Sequence, residues 1–354
     1  MVFTDEVVLV TGGAGFIGSH VVETLLDRGH SVIVIDNLSM GKIENLAECR
    51  QNPRFHLIQA NIVDGIFHIL SSFDRWDKPI SRIIHLAGQT SLTASITNPF
   101  EDLRVNYGAT AHVLEYARSV GAKKVVFASS AAVYGDLISL PACESMPPAP
   151  LAPYGINKLT SEYYLDYYYR VQGVPTSCLR FFNVFGPRQD PRNPYSGVIS
   201  KFISQSLMDQ DLLIFGDGLQ TRDFVFVGDI ARGVVDCCFS ENTGQAEKMN
   251  LGQGMETSVQ DLALQILNLT GSSSRILHLP SRSGEIIHSR ADIRLAQEKF
   301  GFHCETTLTD GLAATVSWTR SQLPSVSARD SSHVQPGLRI GKRAGAMRAE
   351  ATAI

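Results

Sequence analysis

The stretch LVTGGAGFIGSH, from Leu9 to His20, decides the fold class of this chain. Its glycines Gly12, Gly15 and Gly18 follow an apolar run and open a segment with helical periodicity. In a strand–turn–helix unit, the first glycine permits the tight turn and the second lets the backbone approach a pyrophosphate. The third lets the helix pack on the strand, and the amino end of the helix faces the phosphates. The stretch therefore predicts the first unit of a dinucleotide-binding sheet.

Apolar runs of strand length recur on both sides of this motif. They are short and mostly β-branched, as in buried parallel strands, and comprise Val7–Val10, Ser31–Asp36, Arg82–Ala87 and Lys124–Ser129. Segments of helical length lie between them, such as Gly18–Gly29 and Pro99–Val120. This alternation predicts an α/β fold with a Rossmann-like, doubly wound parallel sheet covered on both faces.

Asp36 ends the second run, about 20 residues after the glycine motif begins, at the usual place for a ribose-binding carboxylate. A carboxylate at this position accepts hydrogen bonds from the adenosine ribose hydroxyls and repels a 2′-phosphate. Asp36 therefore favours NAD over NADP as the cofactor. The alternative interpretation is that Asp36 serves as a helix cap or a turn residue.

The alternation of strands and helices loosens after about Arg180 into loops rich in Gly, Pro and Asp, such as FGPRQDPRNPYSG. We therefore predict an NAD-binding domain over residues 1–179 and a smaller substrate-binding lobe, mainly over residues 180–320, from which some segments return to the sheet. Residues 321–354 are rich in Ser, Ala and Arg and lack periodicity, which is typical of a disordered tail.

Composition narrows the class of protein and its partners. The net charge of −4 gives no reason to expect binding to nucleic acid. The six cysteines are scattered without a C-x-x-C pair, which favours free thiols in a cytoplasmic protein over disulfides or a zinc site. These scattered cysteines also give no reason to expect a metal. No apolar run approaches the roughly 20 residues that cross a bilayer, so we expect no membrane segment.

Tyr154 and Lys158 lie four residues apart and would share one face of a helix. A tyrosine with a pKa of about 10 becomes a general base near neutrality only if its pKa falls by about 3 units, or about 4 kcal/mol. One ammonium about 6 Å away supplies roughly 3 kcal/mol at an effective dielectric of about 20. We therefore predict that Tyr154 is a base assisted by Lys158 and by the positive nicotinamide. The alternative is an ordinary surface-helix pair.

The motifs SSAAVYG (residues 129–135) and PYGINK (residues 153–158), together with the glycine motif, resemble the extended short-chain dehydrogenase/reductases. Within them the chain resembles the NAD-dependent epimerase/dehydratase family and its nucleotide-sugar 4-epimerases. The resemblance covers roughly residues 5 to 320 and includes DNLSMGK, HLAGQTS, VNYGAT, RFFNVFGPRQDP, GDGLQTRDFVFVGDI and RSGEIIHSRADI.

By the spacing to VYG in this family, Ser130 rather than its neighbour Ser129 is the third catalytic residue. Its hydroxyl would relay a proton between the substrate and Tyr154. Dehydratases of the family usually carry an Asp-Glu pair after the corresponding residue, whereas this chain has Ala131 and Ala132. The resemblance therefore favours epimerisation over elimination of water.

The resemblance implies a reaction without net redox change. Tyr154 would take the proton of the sugar 4-hydroxyl while C4 gives a hydride to NAD+, and the 4-keto sugar would turn over and regain the hydride on its other face. The expected substrate is a UDP-hexose or a UDP-N-acetylhexosamine. Two alternatives remain. The first is another enzyme of the same family, namely a UDP-glucuronate epimerase or decarboxylase, or a 4,6-dehydratase. The second is a non-catalytic NAD-binding sensor.

The resemblance also assigns the binding residues by position. Those expected to contact the cofactor are Gly12, Gly15, Phe16, Ile17, Gly18, Asp36, Asn37, Leu38, Asn61, Ile62, Leu86, Ala87, Gly88, Asn106, Tyr154, Lys158 and Phe182. The family more often has Asp where this chain has Asn61. Those expected to contact the substrate are Ser130, Tyr154, Asn183, Arg222, Arg282, Glu285 and Ser289. Among them the two arginines would grip the diphosphate with forked guanidinium groups, and Glu285 would bind the uridine ribose.

Ser289 bears on the size of the sugar pocket. In similar epimerases a tyrosine at this position restricts the pocket to glucose and galactose, whereas a small residue leaves room for a 2-acetamido group. The small Ser289 therefore predicts that UDP-N-acetylglucosamine is accepted. The alternative is a loop serine with no such role.

The helix that begins near Tyr154 carries six of the ten tyrosines, and at 100° per residue they fall on different sides. Tyr154, Lys158, Leu165 and Tyr168 share one side, whereas Ile156, Thr160, Tyr163 and Tyr167 share the other. In related enzymes this helix joins a four-helix dimer contact, so we predict a homodimer in which Tyr163 and Tyr167 meet the partner subunit. The alternative is that the second side packs within one chain.

Overall fold

Seven parallel strands form the central sheet in a computed structural model that describes residues 6–71, 78–136, 139–191, 197–281 and 286–323. The strands of the protein are β1 Val7–Thr11, β2 Ser31–Asp36, β3 Phe55–Gln59, β4 Ile80–His85, β5 Lys124–Ser130, β6 Thr176–Phe181, β7 Asn183–Phe185, β8 Leu212–Phe215, β9 Thr221–Arg222, β10 Phe224–Phe226, β11 Gln245–Leu251, β12 Thr257–Ser258 and β13 Ile276–Leu279. The central sheet has the order β11-β6-β5-β4-β1-β2-β3, and all its pairs are parallel. The predicted Rossmann-like sheet is confirmed.

Eleven α-helices in the described ranges connect and cover these strands. They are α1 Phe16–Asp27, α2 Ile66–Ser71, α3 Leu92–Thr97, α4 Pro99–Asp102, α5 Ala109–Val120, α6 Pro153–Gln172, α7 Val198–Leu207, α8 Val227–Phe239, α9 Val259–Thr270, α10 Arg294–Phe300 and α11 Leu308–Gln322. A π-helical segment, Leu103–Gly108, joins α4 to α5. The single helix predicted over Pro99–Val120 is therefore interrupted by a wider turn, a feature that is frequent at functional sites.

Side chains of β1 alternate between the two faces of the sheet and join two separate cores. Val8 and Val10 pack with the apolar sides of α1 and α8, whereas Leu9 packs with the sides of α5 and α6 on the opposite face. This period of two is what an extended strand buried on both faces requires. A layer of helices therefore packs against each face of the sheet.

Strand β3, with the sequence FHLIQ, was not predicted. It lies at the edge of the sheet and its residues are only partly buried. Because an edge strand faces solvent on one side, it lacks the continuous apolar run that marks the central strands. The alternation of side chains over its five residues is too short to identify a strand from the sequence alone.

A third core forms the smaller lobe beyond the central sheet. Helices α7, α9 and α11 contribute apolar side chains such as Phe202, Leu262 and Leu312, and the two-stranded sheets β8–β13, β7–β10 and β9–β12 lie in this half of the chain. The boundary placed between residues 179 and 180 falls within β6, and α8 and β11 return to the layers of the central sheet. Residues 321 and 322 of the predicted tail belong to α11, and residues 324–354 lie outside the described residues.

None of the helices in the described ranges combines the length and the apolar character needed to cross a bilayer. No group of three or more His, Cys, Asp or Glu side chains in those ranges is placed to hold a metal ion. All six cysteines are free, and four of them are buried.

Candidate active site

Many of the residues predicted to contact the cofactor lie at one edge of the central sheet, where the parallel strands have their carboxyl ends. The pairs Thr11–Ile35, Asp36–Gln59 and Ser130–Phe181 lie side by side in the ladder near those ends. The loops that follow β1 to β6 therefore meet along this edge, which is where ligands of open α/β sheets bind. These loops carry Gly12, Asn37, Asn61, Leu86–Gly88 and Phe182.

The three motif glycines have the environments that a phosphate-binding turn requires. Gly12 has a φ of +73° and lies against the loop after β4, where a Cβ atom would approach the Ala87 nitrogen to 2.7 Å. A Cβ atom on Gly18 would lie 2.1 Å from the Gly12 oxygen, so the helix can approach the turn only with glycine. Gly15 caps α1, and a Cβ atom there would meet only the Gly12 oxygen, at 3.1 Å. Phe16 and Ile17 begin the helix directly after this turn.

Asp36 shapes this turn as well as the predicted ribose site. Its two carboxylate oxygens accept hydrogen bonds from the backbone nitrogens of Ala14, at 2.9 Å, and of Leu38, at 2.8 Å. Burial raises the pKa of Asp36, and these two N–H donors oppose the rise. Because a carboxylate offers about four lone-pair sites, both oxygens keep the capacity to accept a ribose hydroxyl.

The structure brings Ser130, Tyr154 and Lys158 together. Ser130 is the last residue of β5, and Tyr154 begins the first turn of α6 directly after Pro153 at the helix start. The Lys158 ammonium lies 5.8 Å from the centre of the Tyr154 ring and donates to the Ala128 oxygen at 2.9 Å. The i,i+4 spacing on a helix thus places the cation beside the ring, as the sequence predicted.

Burial acts on both titratable groups of this cluster. It raises the pKa of Tyr154 to about 12, although a hydrogen bond with the Ser130 hydroxyl opposes the rise. It lowers the pKa of Lys158 to about 8, although the negative charge of Asp102 opposes the fall. The two pKa values are thereby moved in the directions that keep both groups neutral, so a bound positive charge is needed to make Tyr154 a base.

The neighbouring Ser129 and Ser130 have different partners. The Ser129 hydroxyl donates to Glu162 at 2.6 Å in the interior, and Glu162 also pairs with the buried Arg180. The Ser130 oxygen accepts from the Ala132 nitrogen at 3.2 Å and contacts Tyr154. The Ser129 hydroxyl is therefore bound to a buried carboxylate, whereas the Ser130 hydroxyl contacts Tyr154.

A buried polar cluster lies behind Lys158 and was not predicted from the sequence. Asp102 accepts hydrogen bonds from the side-chain amides of Gln89, Asn106 and Asn157, at 2.7, 2.9 and 2.7 Å. Of the four residues only Asn106 was expected at the site. A polar residue at the end of a helical turn gives no sign of burial by itself, so the sequence carried no signal for Asp102.

The residues predicted to contact the substrate lie mainly in the smaller lobe. The side chain of Asn183 is exposed at the start of β7, and Arg222 lies at the end of β9. Ser289 is buried, in a segment where Ile287 accepts from the Thr221 nitrogen at 2.9 Å. The predicted substrate residues Arg282 and Glu285 lie outside the described residues.

Asp223 ties the segments around Arg222 and Ser289 together. Its carboxylate accepts from the backbone nitrogens of Gln253, Gly254 and Ala291, at 2.6, 2.9 and 2.9 Å. It is fully buried, and burial raises its pKa to about 6. Asp223 was not singled out from the sequence, because its partners lie at least 30 positions further along the chain.

The two sides of α6 have the burial that the helical angles predicted. Tyr154, Lys158 and Leu165 are buried, whereas Ile156, Tyr163 and Tyr167 are exposed by 49%, 59% and 45%. These three side chains are therefore not covered by the described part of this chain, and their contact with a partner subunit stays a prediction. Neighbouring helices add further exposed apolar side chains, namely Leu92, Ile96, Phe100 and Leu103.

A doubly wound sheet with a phosphate-binding turn and a Ser–Tyr–Lys cluster at its carboxyl edge defines a nicotinamide-dependent enzyme of the short-chain dehydrogenase/reductase class. The model of the NAD dependent epimerase/dehydratase family matches residues 8–252. This chain therefore belongs to the NAD dependent epimerase/dehydratase family. The predicted family and the predicted cofactor NAD are both confirmed.

Relatives of this chain include enzymes with different outcomes. A UDP-glucose 4-epimerase of Mycolicibacterium smegmatis is 38% identical over 316 residues, covering 89% of this chain and 98% of that protein. A UDP-N-acetyl-alpha-D-glucosaminuronate decarboxylase of Bacillus cytotoxicus is 32% identical, with coverages of 88% and 97%. The structure of UDP-N-acetylglucosamine 4-epimerase from Methanobrevibacter ruminantium, in complex with UDP-N-acetylmuramic acid, matches with a TM-score of 0.84 at 36% identity. It covers 90% of this chain and all of that one.

Proposed function

We propose that this protein is a UDP-sugar 4-epimerase that inverts C4 of a UDP-hexose or UDP-N-acetylhexosamine through a transient 4-keto sugar. The observation that carries the proposal is the convergence of Ser130, Tyr154 and Lys158 beside the phosphate-binding turn. Ala131 and Ala132 follow Ser130 where a dehydratase would need an acid–base pair. The epimerase relatives support the same reaction.

The chain's own residues supply the proton transfers. Bound NAD+ supplies a reversible hydride acceptor. The Tyr154 oxygen takes the proton of the sugar 4-hydroxyl, directly or through the Ser130 hydroxyl, and returns it after the keto sugar has turned over. The Lys158 ammonium stabilises the phenolate of Tyr154 between these two transfers.

Lys158 alone does not lower the pKa of Tyr154 far enough for Tyr154 to act as a base near neutral pH. Moving the Tyr154 pKa from about 12 to neutrality requires about 7 kcal/mol. One ammonium about 6 Å away supplies roughly 3 kcal/mol at an effective dielectric of about 20. The positive nicotinamide has to supply much of the rest, so Tyr154 becomes a base only when oxidised cofactor is bound.

The test is incubation of the purified protein with a panel of UDP-sugars, read by NMR. We expect inversion at C4 of at least one UDP-hexose or UDP-N-acetylhexosamine, with no net change in NAD. Loss of C6 as carbon dioxide from a UDP-uronate would instead identify a decarboxylase, the activity named for the Bacillus cytotoxicus relative. Binding of NAD without turnover of any sugar would identify a sensor.

The small and buried Ser289 supports a pocket that admits a 2-acetamido group. A tyrosine at this position would fill the space with a ring. We expect Ser289→Tyr to lower kcat/KM for UDP-N-acetylglucosamine at least 10-fold and to change kcat/KM for UDP-glucose less than about 3-fold. A loss of at least 10-fold starts at the lower end of the effect of about one methylene in an apolar pocket, and a whole ring is larger than that.

The matched control for this change is Ser317→Tyr, which adds the same ring at an exposed position of α11. It should leave both kcat/KM values unchanged. If Ser289→Tyr keeps full turnover of the acetamido sugar, Ser289 does not limit the size of the pocket.

We further propose a homodimer in which the exposed side of α6 and the neighbouring helices form a four-helix contact. The support is the row of exposed apolar side chains on α6, α3 and α4, which a monomer would leave in water. We expect a dimer by light scattering at micromolar concentration. Replacing Tyr163 and Tyr167 together by Glu should yield a monomer, because it buries two charges in the contact.

A matched control for the dimer is Leu264→Glu, at an exposed apolar position of α9 in the smaller lobe. This variant should remain dimeric. A wild-type monomer at micromolar concentration would contradict the proposed contact.

The six free cysteines, as the composition predicted, support a cytoplasmic location.

A further inference from the structure

The side-chain oxygen of Asn106 has no hydrogen-bond partner among the described residues, although Asn106 is completely buried. The Asn106 nitrogen donates to an Asp102 oxygen at 2.9 Å and to the Gln89 backbone oxygen at 3.0 Å. Both partners are acceptors only, so they require the NH₂ group on their side. The amide orientation is therefore fixed, and its oxygen is the atom without a partner.

This oxygen and the Lys158 ammonium point into the same space, beside Gly88. A Cβ atom on Gly88 would lie 2.6 Å from the Asn106 oxygen and 3.3 Å from the Lys158 nitrogen. A buried acceptor without a donor is costly, which indicates that a ligand supplies the donor. An acceptor next to an ammonium is suited to a hydroxyl that donates to one and accepts from the other.

Asp102 is the residue that holds this arrangement. It is the last residue of α4, is 1% exposed, and directly precedes the π-helical segment that carries Asn106. One of its oxygens accepts from Gln89 and Asn106, and the other accepts from Asn157 on α6. A single carboxylate thus joins the loop after β4, the π-helical segment and the helix that carries Tyr154 and Lys158.

The backbone of the π-helical segment is held from its other side. The Thr110 hydroxyl donates to the Asn106 backbone oxygen at 2.6 Å, so it accepts from His85 Nε2 at 3.1 Å. His85 Nδ1 then accepts from the Thr11 hydroxyl at 2.6 Å, and burial keeps the ring neutral by lowering its pKa to about 3. The side-chain amide of Asn106 is not held by these contacts, and the Asp102 carboxylate and the Gln89 backbone oxygen together oppose its rotation.

We propose that Asp102 is a positioning residue, whose carboxylate fixes the Asn106 amide so that its oxygen accepts a hydroxyl of the bound nicotinamide nucleotide beside Lys158. Without the carboxylate the NH₂ group keeps one acceptor, the Gln89 backbone oxygen, so a rotation by 180° that presents the NH₂ group to the ammonium and to the ligand hydroxyl costs one hydrogen bond instead of two. The Asn106 NH₂ group and the Lys158 ammonium would then both present donors to the hydroxyl of the nucleotide. The proton of that hydroxyl would lose its acceptor. The proposal rests on the proposed function, in which this site holds NAD.

The test combines binding of NADH, followed by its fluorescence, with turnover of the UDP-sugar. We expect Asp102→Ala and Asn106→Ala each to weaken NADH binding about 10-fold and to lower kcat, with KM for the sugar unchanged within about 2-fold. The double variant should be no weaker than either single variant, because Asp102 acts through Asn106. Asp102→Asn should bind within about 3-fold of wild type, since its oxygen can still face Asn106 while the Asn157 amide turns.

The matched control is Glu101→Ala, which removes the adjacent and exposed carboxylate that pairs with Arg104 at the surface. It should change neither binding nor turnover. If Asp102→Ala does not fold, Asp102→Ser replaces it in the same cycle. The proposal would be overturned if the losses in NADH affinity of the two single variants multiplied in the double variant. It would also be overturned if Asp102→Asn bound NADH as weakly as Asp102→Ala. If wild type binds NADH but turns over no sugar, the proposed reaction fails, whereas the cycle in NADH affinity still decides the role of Asp102.

Discussion

Tyr154→Phe is expected to lower kcat for C4 epimerisation by about 1,000-fold, the middle of the range for removal of a general acid–base group. The change deletes only the oxygen that takes the sugar proton. The ring would keep its packing against the buried surroundings of α6, and Lys158 would still donate to the Ala128 oxygen. Turnover is followed by NMR of the UDP-sugar, and NAD content by the absorbance of nucleotide released on denaturation.

NAD content separates loss of the base from loss of the site. We expect the variant to retain NAD, because the glycine turn and Asp36 are untouched. Tyr168→Phe is the matched control on the same helix, since its hydroxyl contacts Glu115 at 3.1 Å rather than the cluster. It should turn over within about 3-fold of wild type. If Tyr154→Phe keeps a tenth of the wild-type kcat, Tyr154 is not the base.

Arg180→Met is expected to destabilise the protein by about 3–5 kcal/mol, the cost of breaking a buried ion pair on one side. Arg180 is 2% exposed and donates to both Glu162 oxygens, at 2.9 and 2.6 Å. Its guanidinium also lies 4.8 Å above the Tyr134 ring. Removing it leaves the Glu162 charge, which is completely buried, with Ser129 as its remaining donor.

Denaturant unfolding at a fixed NAD concentration measures this effect, since bound nucleotide also stabilises the folded state. The double change Glu162→Met with Arg180→Met should recover most of the loss, because no buried charge is left. Arg118→Met, which breaks an exposed pair with Glu115, should leave the denaturant midpoint close to that of wild type. A loss below about 1 kcal/mol for Arg180→Met would show that the Glu162 charge is accommodated without its partner.

The chain's local patterns were sufficient for the main features of the fold and for the core of the candidate site. Central strands such as β2 are buried on both faces and therefore appear as continuous apolar runs. The edge strand β3 and the π-helical segment were missed, because their formation depends on neighbours elsewhere in the chain. The exposed side of α6 was predicted from angles, since the helical period fixes which residues share a side.

Asp36 illustrates how the two levels combine. The sequence places a carboxylate at the end of β2 and predicts its contact with ribose. The structure adds that the same carboxylate binds the backbone nitrogen of Ala14, 22 residues earlier, and so holds the glycine turn. The two interpretations are compatible: the structure contains the backbone contacts of Asp36, and its contact with the ribose stays a prediction.

What the sequence by itself determined about this protein is local. The spacing of Gly12, Gly15 and Gly18 determined the turn, and the four-residue spacing determined that Tyr154 and Lys158 meet. Only the tertiary structure decided that Ser129 faces Glu162, 33 positions away, and that Asp102 binds Asn157, 55 positions away. The physical reason is that helix and strand periods act over a few residues, whereas a buried polar group finds its partner wherever packing brings one within about 3 Å.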